Sequence, residues 1–360
     1  FSREREGIPY WNKFLQGYYD FSGISSDSFD QAVRISVEGE AGVSPEMKAK
    51  GIKLEASVGT ATRYFAFNWL DPVVGGGQAD AAGRERARKL RQAISIALDW
   101  EEFISIFANG RGIPGQGPIP PGIFGFRTGS EGINPIVYDW VGDAPRRKSI
   151  EAAKQLLAEA GYPDGREAKS GQPLVLYLDT TDRGPGDKPR LDWYRKQFAK
   201  LDVQLEIRGT DYNRFQEKVR KGAAQIFVWG WNADYPDPEN FLFLFHGAQS
   251  RAKFQGENAA NYANPEYDRL FEQVKHMENG PARQALIDRM LAILREDAPW
   301  SFGFHPKDYS LHHEWVANLK PNNMARHGLK YRKIDAARRE RLRAEWNRPV
   351  LWPLGLLAAV

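Results

Sequence analysis

A chain of 360 residues, 42% hydrophobic and 27% charged, has room for two domains and a sizeable core. It holds no cysteine, which excludes disulfide scaffolds, thiolate metal sites and cysteine nucleophiles. The net charge is +4, but Arg326 to Arg348 alone carries nine Lys or Arg against three acids; the remainder is slightly acidic, so no nucleic-acid partner is expected.

The opening FSREREGIPYWNK, from Phe1, fits neither a signal peptide nor an initiator region and predicts processing upstream. GIKLEAS, Gly51 to Ser57, alternates Ile52, Leu54 and Ala56 and predicts a strand; TRYFAFNWL, Thr62 to Leu70, predicts another after a Gly-Thr turn. DPVVGGGQADAAG, Asp71 to Gly83, reads as a flexible joint. Glu85 to Phe107 reads as helix, with Leu90, Ala93, Ile94, Ala97 and Leu98 on one face. The Gly- and Pro-rich run Asn109 to Phe126 reads as an ordered loop.

The middle of the chain alternates. Ser149 to Ala160 is an expected helix stopped by Gly161 and Pro163, and LVLYL, Leu174 to Leu178, a buried strand. Leu191, Tyr194, Phe198 and Leu201 recur at helical spacing, VQLEI (Val203 to Ile207) reads as strand, and Asp211 to Lys221 as a helix with Tyr212, Phe215 and Val219 inward. AQIFVW, Ala224 to Trp229, closes a strand-helix-strand-helix-strand series, which implies right-handed crossovers and a largely parallel sheet. Two helices follow, one after Asn264-Pro265 and one from Pro281 to Arg295, then a strand, WSFGFH, Trp300 to His305. Ile334 to Trp346 reads as a solvated helix. The last eleven residues, VLWPLGLLAAV, are apolar but at about 1.5 Å per residue reach only half of a ~30 Å bilayer core; they predict either a truncated anchor that makes a membrane contact or a packed tail.

The run GWNADYPDPENF, Gly230 to Phe241, leaves the end of the third strand, where open α/β sheets bind ligands. Three chemistries compete for its acids. A carboxylate pair such as Asp234 with Glu239 would suit a glycosidase-like hydrolase. No other catalytic motif accompanies it, and Asp237 between Pro236 and Pro238 reads as a turn residue while Glu239 and Asn240 open a helix. A metal cradle lacks the calcium-loop spacing and needs imidazoles the motif does not have, so no metal or cofactor is expected. A socket for a ligand's positive charge needs one carboxylate in an aromatic cleft. On this reading Trp229 and Trp231 are expected on opposite faces, one walling the cleft and one in the core.

The stretch Asp211 to Phe241 resembles the oligopeptide- and dipeptide-binding proteins of bacterial ABC importers, the extracellular solute-binding proteins. RYFAFN (Arg63 to Asn68), LRQAISIALDWEEF (Leu90 to Phe103) and NGRGIPGQGPIPPG (Asn109 to Gly122) resemble further pieces of that family in the family's order. The resemblance implies a two-lobed α/β fold of the class II periplasmic-binding-protein type, mainly its C-terminal lobe. Residues 1–70 would be part of lobe I, 71–304 the ligand-binding lobe, 305–345 a return to lobe I, and 346–360 the apolar tail. It implies a periplasmic or extracytoplasmic, non-enzymatic protein that delivers a peptide or amine-bearing small solute to an ABC transporter permease. The family's amine-binding aspartate falls on Asp234 and pocket aromatics fall on Trp231 and Tyr212, with Gly230 and Asn232 beside them. The family's carboxylate-binding cations fall on Val219 and Val228, a departure from its pattern. Because the family carries a long region ahead of these pieces, the chain is expected to supply one jaw of a clamshell.

Overall fold

The apolar alternation of the middle segment builds a sheet buried on both faces. The computed structural model describes residues 7–25, 27–36, 41–76, 80–182, 184–320, 322, 324 and 328–349. The chain divides into two units, one of 58–306 and one of 1–57 with 307–360. The first boundary falls well before the expected 70/71, because strand β1 (Ala61–Phe67) pairs inside the larger unit.

In the larger unit β1 is followed by α1 (Ala81–Ala97), α2 (Trp100–Ala108) and a short β2 (Gly112–Pro114). Then come α3 (Ile150–Glu159), β3 (Val175–Thr181), α4 (Lys188–Ala199), β4 (Gln204–Thr210), α5 (Tyr212–Arg220) and β5 (Ile226–Asn232). The unit closes with α6 (Glu239–Leu242), α7 (Arg251–Phe254), α8 (Pro265–Val274), α9 (Pro281–Asp297) and the first half of β6 (Trp300–His313). The strands lie in the order β6-β1-β5-β3-β4, with β2 on β6. Only β4/β3 and β3/β5 are parallel; β5/β1, β1/β6 and β6/β2 are antiparallel. The expected largely parallel sheet is therefore mixed: periodicity identified β1 and β6 as strands but carries no information on partner direction.

Side chains alternate between two cores. Phe65, Phe67, Leu176, Leu178 and Ile226 enter one with α1 and α4, while Tyr64, Ala66 and Phe227 enter the other with α8 and α9. The expected single helix over Glu85–Phe107 is two. Leu98 adopts an extended ψ of 97°, and the Asp99 carboxylate accepts the Glu102 N–H at 2.9 Å to start α2 afresh, a side-chain cap competing with helix continuation. The expected flexible joint begins as a pinned turn, with Asp71 accepting from Val73 and Val74 and the buried Arg91 donating to the Val74 carbonyl; its residues 77–79 lie outside the described residues.

The smaller unit packs Trp11, Phe14, Ile52 and Leu311 together, with Phe21–Gly23 antiparallel to the second half of β6. Its helix Ala336–Trp346 buries no side chain and is tied by Arg338–Glu314 and Arg339–Asp20 ion pairs, as expected of a solvated helix. The apolar tail from 350 onward, and the membrane contact expected of it, lie outside the described residues. Among the described residues no helix is long and apolar enough to cross a membrane.

Candidate functional site

The carboxyl ends of β3 and β5 and the first residues of α5, which follows β4, open onto a cavity of about 920 Å³ within the larger unit. It is the crevice that strand order predicts for a ligand. Thr181 ends β3, while Tyr212, Phe215 and Gln216 come from α5, whose start is fixed by Asp211 accepting the Asn213 and Arg214 N–H groups at 3.1 Å.

Trp229 and Trp231 both line this cavity and both pack against the second core, Trp229 near Phe215 and Trp231 edge-on to Phe243. Their expected placement on opposite faces is corrected: residues two apart in a strand share a face. Tyr212 is also corrected. It lines the cavity but is 61% exposed rather than inward, because it is the first residue of α5, while Phe215 and Val219 are buried.

Three carboxylates of the motif have separate environments. Asp237 accepts Arg283 Nη1 and Nη2 at 2.8 and 2.7 Å and the Glu239 N–H at 2.8 Å. Burial pushes its carboxyl up, but the Arg283 and Glu239 donors outweigh burial and hold it below the ordinary range. Glu239 accepts the Tyr235 hydroxyl; burial and that hydrogen bond push the phenol up to about 12. Asp234 is exposed and lines the cavity, and its carboxylate has no partner among the described residues.

Buried Asn240 ties the motif together. Its Oδ1 accepts the Asp234 N–H at 2.8 Å and the Trp231 Nε1–H at 3.2 Å. Gly230 faces Arg63 across the β5/β1 register, and a Cβ there would sit 2.8 Å from the Arg63 side chain and 2.9 Å from the Thr62 carbonyl. The glycine leaves room for Arg63 to cross β5 and donate to the Trp231 carbonyl and, at 3.1 Å, to Asn232 Oδ1. All five sequence-derived positions, Tyr212, Gly230, Trp231, Asn232 and Asp234, line one cavity.

Sequence reasoning missed Arg63, Arg251 and Glu257 in the same wall, and Asn240 behind it. Arg63 reads from the sequence only as part of a strand; nothing in its spacing tells that it crosses a glycine of the neighbouring strand β5, far away along the chain. Val219 is core and Val228 lines the cavity, so neither position supplies a cation.

Residues 13–253 match the family model described as bacterial extracellular solute-binding proteins, family 5, middle part. Among curated relatives, heme-binding protein A of Haemophilus influenzae is 29% identical over 61% of this chain and 37% of its own. Di/tripeptide-binding protein 2 of Pseudomonas aeruginosa is 24% identical over 69% and 43%. The match thus spans about two fifths of the length of these relatives. HbpA2 of Haemophilus parasuis superposes with a TM-score of 0.68 at 19% identity, covering 93% of this chain and 57% of its own. The periplasmic binding protein DppA of Helicobacter pylori, in complex with the peptide STSA, gives 0.69 at 18% over 92% and 56%. The fold is that of these two-lobed binding proteins, in part.

Proposed function

The chain belongs to the bacterial extracellular solute-binding proteins of family 5, and on that premise we propose that it binds a peptide or another amine-bearing solute outside the cytoplasm and passes it, unaltered, to the permease of an ABC importer. The larger unit is the ligand-binding lobe and the smaller one a part of lobe I. Relatives named for dipeptides and tripeptides support the ligand class.

The observation that carries this reading is the Asp234 carboxylate, without a partner among the described residues, on the wall of an aromatic cavity. An ammonium group there gains a charge-assisted hydrogen bond, about 1.5–3 kcal/mol net. Trp229, Trp231 and Tyr212 supply apolar area beside it. The hydrolase alternative needs a second carboxylate free to move a proton, whereas Glu239 holds Tyr235 and Asp237 holds Arg283.

Calorimetry with a tripeptide tests the assignment. Asp234→Asn is expected to lower affinity tenfold or more, with the peptide recovered intact; unchanged affinity removes Asp234 as the anchor, and cleaved peptide reinstates the hydrolase.

A further inference from the structure

The basic segment near the end of the chain belongs to the smaller unit, and none of its described residues lines the cavity. It divides in two. In the helix Ala336–Trp346 most of the charge is neutralised: Arg338 pairs with Glu314, Arg339 with Asp20 and Arg343 with Glu340. The turn Gly328–Tyr331 and the short strand Lys333–Ile334 ahead of it are different. There Lys330, Arg332 and Lys333 are exposed and have no acidic partner among the described residues. The next acid, Asp335, turns its carboxylate to the Arg338 N–H at 3.0 Å. Between these cations stand Leu329, Tyr331 and Ile334, which are 58, 63 and 37% exposed.

The segment is fastened to the unit. The Arg332 guanidinium lies 4.5 Å from the centre of the Phe21 ring, Phe21 stands opposite His312 in the sheet, and Lys333–Ile334 pairs antiparallel with Val316–Ala317. The Asp335 N–H donates to the Trp315 carbonyl at 2.9 Å. Burial, then Lys53 and Arg332, hold the His312 imidazole below its ordinary value, so Lys53, exposed on the strand Ile52–Val58, adds a fourth cation near the same ring. A face that meets only water mixes cations with acids and shows large apolar side chains singly. Here four cations adjoin three exposed large apolar side chains, and Asp335 is engaged elsewhere.

A bilayer interface uses both halves of that composition. Its anionic headgroups attract Lys and Arg, its acyl boundary takes up Leu and Ile, and Tyr suits the level between them. We infer that this face of the smaller unit, Lys53 with Leu329 to Ile334, docks on an anionic lipid surface. Each cation brought to such a surface strengthens binding by about fivefold, and the apolar side chains retain what the charges attract. The inference needs no peptide and involves no residue of the cavity, so it stands or falls apart from the ligand assignment. It also differs from a contact made by the apolar stretch Val350 to Val360, because charged residues of the folded unit carry it.

Co-sedimentation of the full chain with vesicles tests it, using phosphatidylcholine alone and phosphatidylcholine with phosphatidylglycerol in equal parts. The mixed vesicles are expected to bind at least about tenfold more tightly at low salt, with the advantage shrinking as salt rises. Lys330→Gln with Lys333→Gln leaves the Arg332–Phe21 contact in place and is expected to lose on the order of tenfold or more of that affinity. Lys330→Arg with Lys333→Arg is expected to keep it, which separates lost charge from lost folding. Leu329→Ser with Tyr331→Ser, at unchanged charge, is expected to lose roughly fivefold. Equal binding to the two kinds of vesicle overturns the inference. So does undiminished binding of the glutamine variant, which would assign the attachment to another part of the chain. Charge-dependent binding that survives in full in Leu329→Ser with Tyr331→Ser would mark a face for an acidic protein partner and overturn the lipid assignment.

Discussion

Asp234 and Asp237 stand three residues apart in one turn, yet the first has an open carboxylate on a cavity wall and the second is forked onto a buried arginine. The sequence WNADYPDPEN offers both as equals. What separates them is the partner that tertiary structure delivers, since Arg283 comes from α9 and, among the described residues, no cation pairs with Asp234. The half of the turn that carries Asp237, Pro238 and Asn240 is a brace, and the half that carries Trp231 and Asp234 is what the brace presents. Asn240 is the joint between them, because one side-chain oxygen receives both the Trp231 indole and the Asp234 backbone.

The contrast is broken most severely at Asp237. Asp237→Ala leaves Arg283, whose side chain is 3% exposed, without its charge partner and removes the acceptor of the Glu239 N–H. Because Asp237 is itself a third exposed, the loss is expected at about 3 kcal/mol, the lower end for a broken buried pair, read by denaturant unfolding. The pH dependence follows in sign. Arg283 and the Glu239 N–H hold the folded carboxyl below its ordinary value, so the stabilisation is complete above about pH 4 and is lost as pH falls through the depressed folded value. The unmodified protein should therefore lose stability on acidification more steeply than Asp237→Ala, and parallel acid limbs would count against the ion pair.

Asn240→Ala comes next. It strands two donors at once, the Trp231 indole N–H and the Asp234 N–H, for an expected loss of about 1–3 kcal/mol. Unlike Asp237→Ala, it acts directly on the ligand-facing half, so peptide affinity should fall even under conditions where the fold is intact. A variant that loses stability and keeps full affinity would show that Trp231 and Asp234 hold their places without the tether.

How far the chain itself announced these roles depends on the range of the interaction. Local signals are legible: the caps Asp211, Ser149 and Asn264 start their helices, the alternation of Leu176 and Leu178 marks a strand with one face in the core, and Ile226 with Phe227 marks one buried on both faces. The motif residues of the cavity are legible because they cluster at one strand end, Gly230, Trp231 and Asn232 in the last residues of β5 and Asp234 just past it. Arg63, Arg251 and Glu257 are not, since they reach the cavity from β1 and from the segment beyond α6, and only the fold makes them neighbours. The break at Leu98–Asp99 lay hidden for a different reason: the apolar period runs through it unbroken, and only the side chain of Asp99 resets the helix.

The smallest expected effect on stability, and the one that sharpens the comparison most, is Asp234→Ala. An exposed carboxylate without a hydrogen-bond or ion-pair partner among the described residues contributes almost nothing to the fold, and the Asp234 N–H that Asn240 receives is backbone and survives the substitution. The change in unfolding free energy should stay within about 0.5 kcal/mol, several-fold below that of Asp237→Ala, measured under the same conditions. A loss of more than about 1 kcal/mol would make Asp234 part of the brace, since a side chain that stabilises the empty protein must already be making the contacts that binding a ligand would otherwise supply.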